Sequence, residues 1–268
     1  MTRTIPPLCG SISGCVLPNA LGVKMHEAGY EAAGLGFKYV SAESQDLHST
    51  VGAFVELGFL GFGVSMPFKR EILSLLNEVS SDTCAIGACN TVVNVNGRLS
   101  GHNTDWRGAM DALQEAGVRV PGHALVLGAG GAARALIFGL KEAGWNVEIA
   151  GRNLDAAAAI AADFDLPLPS TTTLQSRPGI DLLVNATPNT DVPEGYLAPE
   201  RFPDLEAVFD VVFNPLRTPL CDQAERLGLV SVPGWLMLLH QAIHQFTLYT
   251  GVEAPAAAMR DALLKSLR

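Results

Sequence analysis

Ala124–Leu140 reads ALVLGAGGAARALIFGL: a short apolar run, a glycine-rich turn, then an apolar stretch of helical period. Without side chains at Gly128, Gly130 and Gly131 the backbone can turn tightly and approach a ligand closely. The free N–H groups and positive end of the following helix then stabilise negative phosphates. Ala133 stands where a dinucleotide fingerprint usually has its third glycine, a variant the fingerprint accepts. A glycine turn alone also suits a plain capped helix; the strand before it and the helix after it point to a pyrophosphate site. Gly128, Ala129, Gly130, Gly131, Ala132 and Ala133 are therefore cofactor-binding candidates.

About twenty residues further on, an acid would bind the ribose hydroxyls of NAD. Here the next apolar run ends in Ala150-Gly151-Arg152-Asn153, with no Asp or Glu. An Arg pairs with a 2′-phosphate in fork geometry, and the missing carboxylate removes a repulsion, so NADP is the expected cofactor. Gly151, Arg152 and Asn153 join the candidates. So do Thr187, at the end of an apolar run expected near the nicotinamide, and Gly234 in PGWLM.

Outward from this unit, short runs rich in Val, Ile and Leu alternate with stretches of helical period, which predicts an α/β fold with parallel strands covered by helices. FKYVSAE, GFGVSM and CNTVVNV read as strands in the first third, and WNVEIAG, DLLVNAT, AVFDVVF and LVSVPG in the remainder. MHEAGYEAAG, LHSTVGAFVELG and FKREILSLLNEV have helical period, the last with Pro67 at the favoured start of a helix. NTDWRGAMDALQEAG predicts a helix closing at Gly117, and the chain ends in two helical stretches. A length of 268 residues suits about two domains. The expected division runs near Gly101, with 1–101 and the C-terminal helices 238–268 forming an open, mostly parallel sheet domain. Residues 102–237 form a Rossmann-type, doubly wound nucleotide domain.

Eighteen Lys and Arg against twenty-seven Asp and Glu give a formal charge of −9, with no basic cluster. Such a field repels phosphate backbones, so neither nucleic acid nor an anionic membrane is an expected partner. No stretch has signal-peptide or membrane-span character, and a cytoplasmic location is expected. The five cysteines lack zinc-site spacing and read as reduced thiols. His240 and His244 lie one helical turn apart, but with no carboxylate or third ligand in view no metal site is expected.

Val64–Lys69, VSMPFK, ends a strand at a loop, and Asn103-Thr104-Asp105 begins a helix. Both are expected to face a cleft between the lobes. Hydride delivery to a carbonyl creates alkoxide charge, and an ammonium group held by a carboxylate can supply the proton. Lys69 and Asp105 are the candidate catalytic pair. Taken singly, Lys69 also reads as a surface residue and Asp105 as a helix cap or first-turn acid.

With these motifs in view, the sequence resembles the shikimate dehydrogenase family. SMPFK, AIGACNTV, GHNTDWRG, GAGGAAR, NATPN, DVVFNPLRTPL and PGWLMLLHQAIHQF follow one another in the family's order across nearly the whole chain. The resemblance implies a substrate domain built from both chain ends and NADP-linked interconversion of 3-dehydroshikimate and shikimate, by a monomer or homodimer. It implies that Lys69 transfers the proton with Asp105 as partner, and that Asn90 and Gln241 bind ring hydroxyls. Ser65 stands for the family's strand-end Thr, and Ser11 and Ser13 match its Ser-x-Ser pair for the substrate carboxylate. Asp105 counts as substrate-binding too. Several positions depart from the pattern. Gly14 follows Ser13, the His26-Glu27 pair comes only after CVLPNALGVKM, Phe213 replaces a Tyr, and Asn189 replaces a Gly. Together with SMPFK and FTLYT they resemble the divergent shikimate dehydrogenase-like subgroup. Quinate or a related cyclic hydroxy acid is an alternative substrate, and a nucleotide-sensing binding protein an alternative of another class.

Overall fold

The computed structural model describes residues 6–15, 20–167, 178–188 and 198–267. The chain forms two compact units, Met1–Thr104 with Gln241–Arg268, and Asp105–His240.

The first unit holds β1 (Leu8–Ser13), α1 (Leu21–Ala32), β2 (Lys38–Glu43), α2 (Leu47–Glu56), β3 (Phe59–Val64), β4 (Glu78–Val79), α3 (Ser81–Ile86), β5 (Thr91–Val95) and β6 (Arg98–His102). Its strands are ordered β2-β1-β3-β5-β6-β4, with β1 parallel to β2 and β3, and β5 antiparallel to both of its neighbours. β3, FLGFGV, is buried at all but one position, as a central strand covered on both faces must be. Ile12, Val51, Phe54, Phe62, Ile72 and Val92 belong to the core it helps to fill.

β1 runs through both serines as far as Ser13. One local expectation fails. The helix expected over FKREILSLLNEV is replaced by a 3-10 turn at Glu71–Leu75 and by β4. Asn77 stops the helical turn by pairing with the strand beside it. Its N–H donates to Leu99 O at 2.9 Å and its Oδ1 accepts from Leu99 N at 2.7 Å. β5 and β6 are joined by Asn96 (φ 53°) and Gly97 (φ 84°). A two-residue turn with both φ angles positive matches the strand twist of a hairpin. Asn94 braces it, accepting from Gly97 N and donating to Phe59 O, each at 2.8 Å.

The second unit holds α4 (Asp105–Glu115), β7 (His123–Leu127), α5 (Gly131–Glu142), β8 (Asn146–Ala150), α6 (Leu154–Asp163), β9 (Leu182–Asn185), β10 (Ala207–Asp210), α7 (Pro219–Arg226) and β11 (Val230–Pro233). α8 (Gly234–Thr250) is divided between the units, and α9 (Ala256–Ser266) belongs to the first. The five strands are all parallel, in the order β11-β10-β9-β7-β8. The order reverses at β7, and the crevice at the carboxyl end of such a switch point is where open α/β sheets bind ligands. Helices α4 and α5 pack closely, since a Cβ on Gly139 would stand 3.1 Å from Met110 Cε.

Among the described residues no helix is long and apolar enough to cross a membrane, and no group of three His, Cys, Asp or Glu side chains could hold a metal.

His26 on α1 is fully buried, stacked on Tyr39 at 4.3 Å and 5°, and neither ring nitrogen has a hydrogen-bond partner. Burial pulls its pKa from 6.5 down to about 3, against the opposing influence of nearby Gln245. A base depressed in this way takes its proton mainly when unfolded. The stability it confers is therefore complete above pH 6.5 and drains away as pH falls toward 3. By pH 4.5 the loss is about 2–3 kcal/mol. His26→Phe, which keeps the stacking, is expected to abolish that part of the acid sensitivity. Urea midpoints at pH 7 and pH 4.5 check it, and an unchanged difference between parent and variant would refute it.

Candidate active site

In the first unit, Ser11 and Ser13 are two apart on β1 and so point to one side of the sheet. Ser11 Oγ donates to Ser41 Oγ at 3.1 Å and Ser13 Oγ to Cys15 O at 2.6 Å. The segment after β3 is tied to this strand end, with Ser65 N donating to Ile12 O and Gly14 N to Met66 O, each at 2.9 Å. Ser65 is exposed and Lys69 half-buried. The Lys69 carbonyl accepts from Cys89 N at 2.7 Å, bringing its backbone beside that of Asn90. Asn90 is buried; its Oδ1 accepts from Thr104 N at 2.7 Å, and its Nδ2 donates to Thr104 Oγ1 at 3.0 Å and to Gln241 Oε1 at 3.4 Å. Ser11, Ser13, Ser65, Lys69, Asn90 and Gln241 all lie in this unit. Asp105, buried, follows directly on Thr104 and opens α4 in the second unit.

The cofactor candidates all lie in the second unit. Gly128 has φ 121°, and a Cβ there would stand 2.8 Å from Ala186 O, so both conformation and space require glycine. Gly130 precedes the first turn of α5, formed by Gly131, Ala132 and Ala133, and no side chain caps that turn. Its amides are thus disposed toward an outside acceptor, and a Cβ on Gly130 would meet nothing within 4 Å. These features fit a pyrophosphate. Gly151 adjoins Ala129. Arg152 is exposed. Asn153 caps α6 by accepting from Ala156 N at 3.0 Å. Gly234 is required locally, because a Cβ would run into the backbone of Val211 and Val212. Asn189 lies outside the described residues.

Thr187 leads to a network that sequence reasoning missed. Its N–H and Oγ1 donate to Asn185 Oδ1 at 3.1 and 2.7 Å, and Asn185 Nδ2 donates to Asp210 Oδ1 at 2.9 Å. Asp210 also accepts from Thr218 Oγ1 at 2.6 Å and Val212 N at 3.1 Å. Burial raises its pKa, and these donors oppose the rise. The available signal was one polar residue ending each of two otherwise apolar strands. A second miss is His240, expected to lack a carboxylate, whose Nε2 lies 2.9 Å from Glu115 Oε2.

Residues 13–92 match the shikimate dehydrogenase substrate binding domain, and residues 234–264 the shikimate 5′-dehydrogenase C-terminal domain. The chain is 37% identical over 270 residues to a shikimate dehydrogenase (NADP(+)) of Natronomonas pharaonis, covering 95% of this chain and 97% of the relative. It is 36% identical over 289 residues to one from Geobacter sp. strain M21, covering 100% and 98%. Among solved structures, shikimate 5-dehydrogenase from Thermus thermophilus in complex with NADP(H) and shikimate is similar at a TM-score of 0.86 and 34% identity, covering 97% of this chain and 100% of that one.

Proposed function

The chain belongs to the shikimate dehydrogenase family, and from that premise we propose that it interconverts 3-dehydroshikimate and shikimate with NADP. The observation that carries the reading is Asn90. Its buried carboxamide is fixed by Thr104, directly before Asp105, and its backbone adjoins that of Lys69. The first unit, expected as 1–101 with 238–268, serves as substrate domain and the second, expected as 102–237, as NADP domain; the compact units themselves divide after Thr104 and after His240.

NADP, when bound, accepts or supplies the hydride. The Lys69 ammonium moves the proton at the reacting oxygen as alkoxide charge develops, and the Asp105 carboxylate holds and orients it. Ser11 and Ser13 donate to the substrate carboxylate, Asn90 and Gln241 bind ring hydroxyls, and Ser65 and Asp105 complete the contacts. The Gly128–Ala133 turn holds the pyrophosphate. Arg152 pairs with the 2′-phosphate beside Gly151 and Asn153, and Thr187 and Gly234 line the nicotinamide end. The cytoplasm is the proposed location, a compartment that keeps thiols such as these five reduced.

Steady-state assays of shikimate and quinate with NADP and NAD test the proposal; failure to turn over shikimate with NADP would defeat it. Arg152→Ala is expected to raise KM for NADP about ten- to a hundredfold, the roughly 1.5–3 kcal/mol of a hydrogen bond to a charged group, with KM for NAD little altered. Equal effects on the two cofactors would remove Arg152 from the 2′-phosphate.

A further inference from the structure

The protons around Asn90 can be assigned one by one. Thr104 N–H can only donate, so the Asn90 atom 2.7 Å from it is the carboxamide oxygen, and the other is the amide nitrogen. Thr91 Oγ1 donates to that oxygen at 2.8 Å. The amide nitrogen donates to Thr104 Oγ1 at 3.0 Å, and the two threonine hydroxyls are 3.1 Å apart. With Thr104 donating to Thr91, the three side chains close a ring in which each hydroxyl gives one proton and takes one. Thr104 Oγ1 also approaches the Asn90 oxygen, but at a longer 3.3 Å.

Gln245 on α8 supports this ring from behind. Its Nε2 donates to Thr91 Oγ1 at 3.2 Å and to Asn90 O at 3.4 Å, and it is itself buried. Gly63 leaves it room, since a Cβ there would stand 3.3 Å from Nε2. Gln241, one helical turn earlier, offers its Oε1 to the amide nitrogen. Both lone pairs of the Asn90 oxygen are thus met by Thr104 N and Thr91 Oγ1, which turns its nitrogen toward Thr104 Oγ1 and Gln241; the N–H given to Gln241, over a long 3.4 Å, is the one a substrate oxygen would take over.

We propose that Thr91 and Gln245 are positioning residues that hold Asn90 as a hydrogen-bond donor, so that the site selects a substrate oxygen that accepts at that point. This rests on the assignment of Asn90 to substrate binding. Neither residue need touch the substrate; each acts through the carboxamide.

Thr91→Val keeps the shape and removes the hydroxyl, while Thr91→Ser returns it. Valine is expected to raise KM for shikimate by about tenfold or more, the loss of a buried hydrogen bond, with kcat and KM for NADP within about twofold of the parent. Serine is expected to restore the parental KM. Gln245→Met, a second variant should valine fail to fold, is expected to shift KM the same way by a smaller factor. A parental KM in Thr91→Val, or an equal rise in both KM values, would overturn the proposal. Hydrogen exchange of the Asn90 side-chain amide, followed by NMR without substrate, is expected to be slow in the parent and about tenfold faster in Thr91→Val and Gln245→Met. Equal rates would also overturn it. If the parent ignores shikimate yet the exchange rates divide as expected, the substrate assignment falls and the positioning role stands.

Discussion

Lys69→Met is expected to lower kcat for shikimate by about 10²–10⁴-fold, the range that a positioned proton donor contributes. Methionine keeps most of the side-chain length and leaves the backbone bond from Cys89 N to the Lys69 carbonyl in place, so the loop after β3 keeps its path. It removes only the ammonium group. The proposed cofactor residues lie in the other unit, so NADP affinity by fluorescence titration and the thermal midpoint are expected to match the parent. Asp105→Asn is expected to depress kcat as well, as its proposed partnership with the Lys69 ammonium requires. A Lys69→Met enzyme that turns over like the parent would end the assignment of proton transfer to this residue.

Gly128→Ala is expected to weaken NADP binding by about tenfold or more, roughly 1.4 kcal/mol for each tenfold step. It is also expected to destabilise the second unit by about 1–3 kcal/mol. At φ 121° an L-residue is strained, and the new Cβ would stand 2.8 and 2.9 Å from the carbonyl of Ala186, which is backbone and cannot rotate away. Gly130→Ala is the informative contrast. Its Cβ would meet no protein atom within 4 Å and its φ is −103°, so the fold is expected to tolerate it. NADP affinity is nevertheless expected to fall, because the space it fills is the proposed approach of a phosphate to the α5 amides. Calorimetry of both variants with and without NADP separates the two effects. A Gly130→Ala protein that binds NADP as tightly as the parent would move the pyrophosphate off this turn.

The features legible in the sequence were those written in short-range order. The glycine turn between β7 and α5, the alternation of apolar runs with helical stretches, and the helix ending before Gly117 each depend on neighbours within a few residues. The pair of units and most strands follow from the same signals. What escaped depends on partners far along the chain. Glu115 meets His240 across 125 positions, so no local pattern could have revealed it. The 3-10 turn replaced a well-patterned helix because Asn77 bonds to Leu99 on another strand, a tertiary contact that outweighs local propensity. β6 is a different case, since Asn96-Gly97 after a Val-rich run is a strong short hairpin signal. In the site, Asn90 and Gln241 were nominated through the resemblance. Their support from Thr91, Thr104 and Gln245 required the β5–β6 pairing and the α8 face to be seen together.

That hairpin has a bearing on which length changes the protein can tolerate over its history. Its tip, Asn96-Gly97, fixes which residue of β6 lies opposite which residue of β5, with Thr91 facing His102 at the far end, about 17 Å from the tip. One amino acid added there would slide β6 by a position and turn its whole ladder over. Thr104 would then no longer meet the carboxamide of Asn90. Insertions and deletions should therefore be purged from this outlying tip as strictly as substitutions are at the reacting groups, although the tip itself touches no reactant.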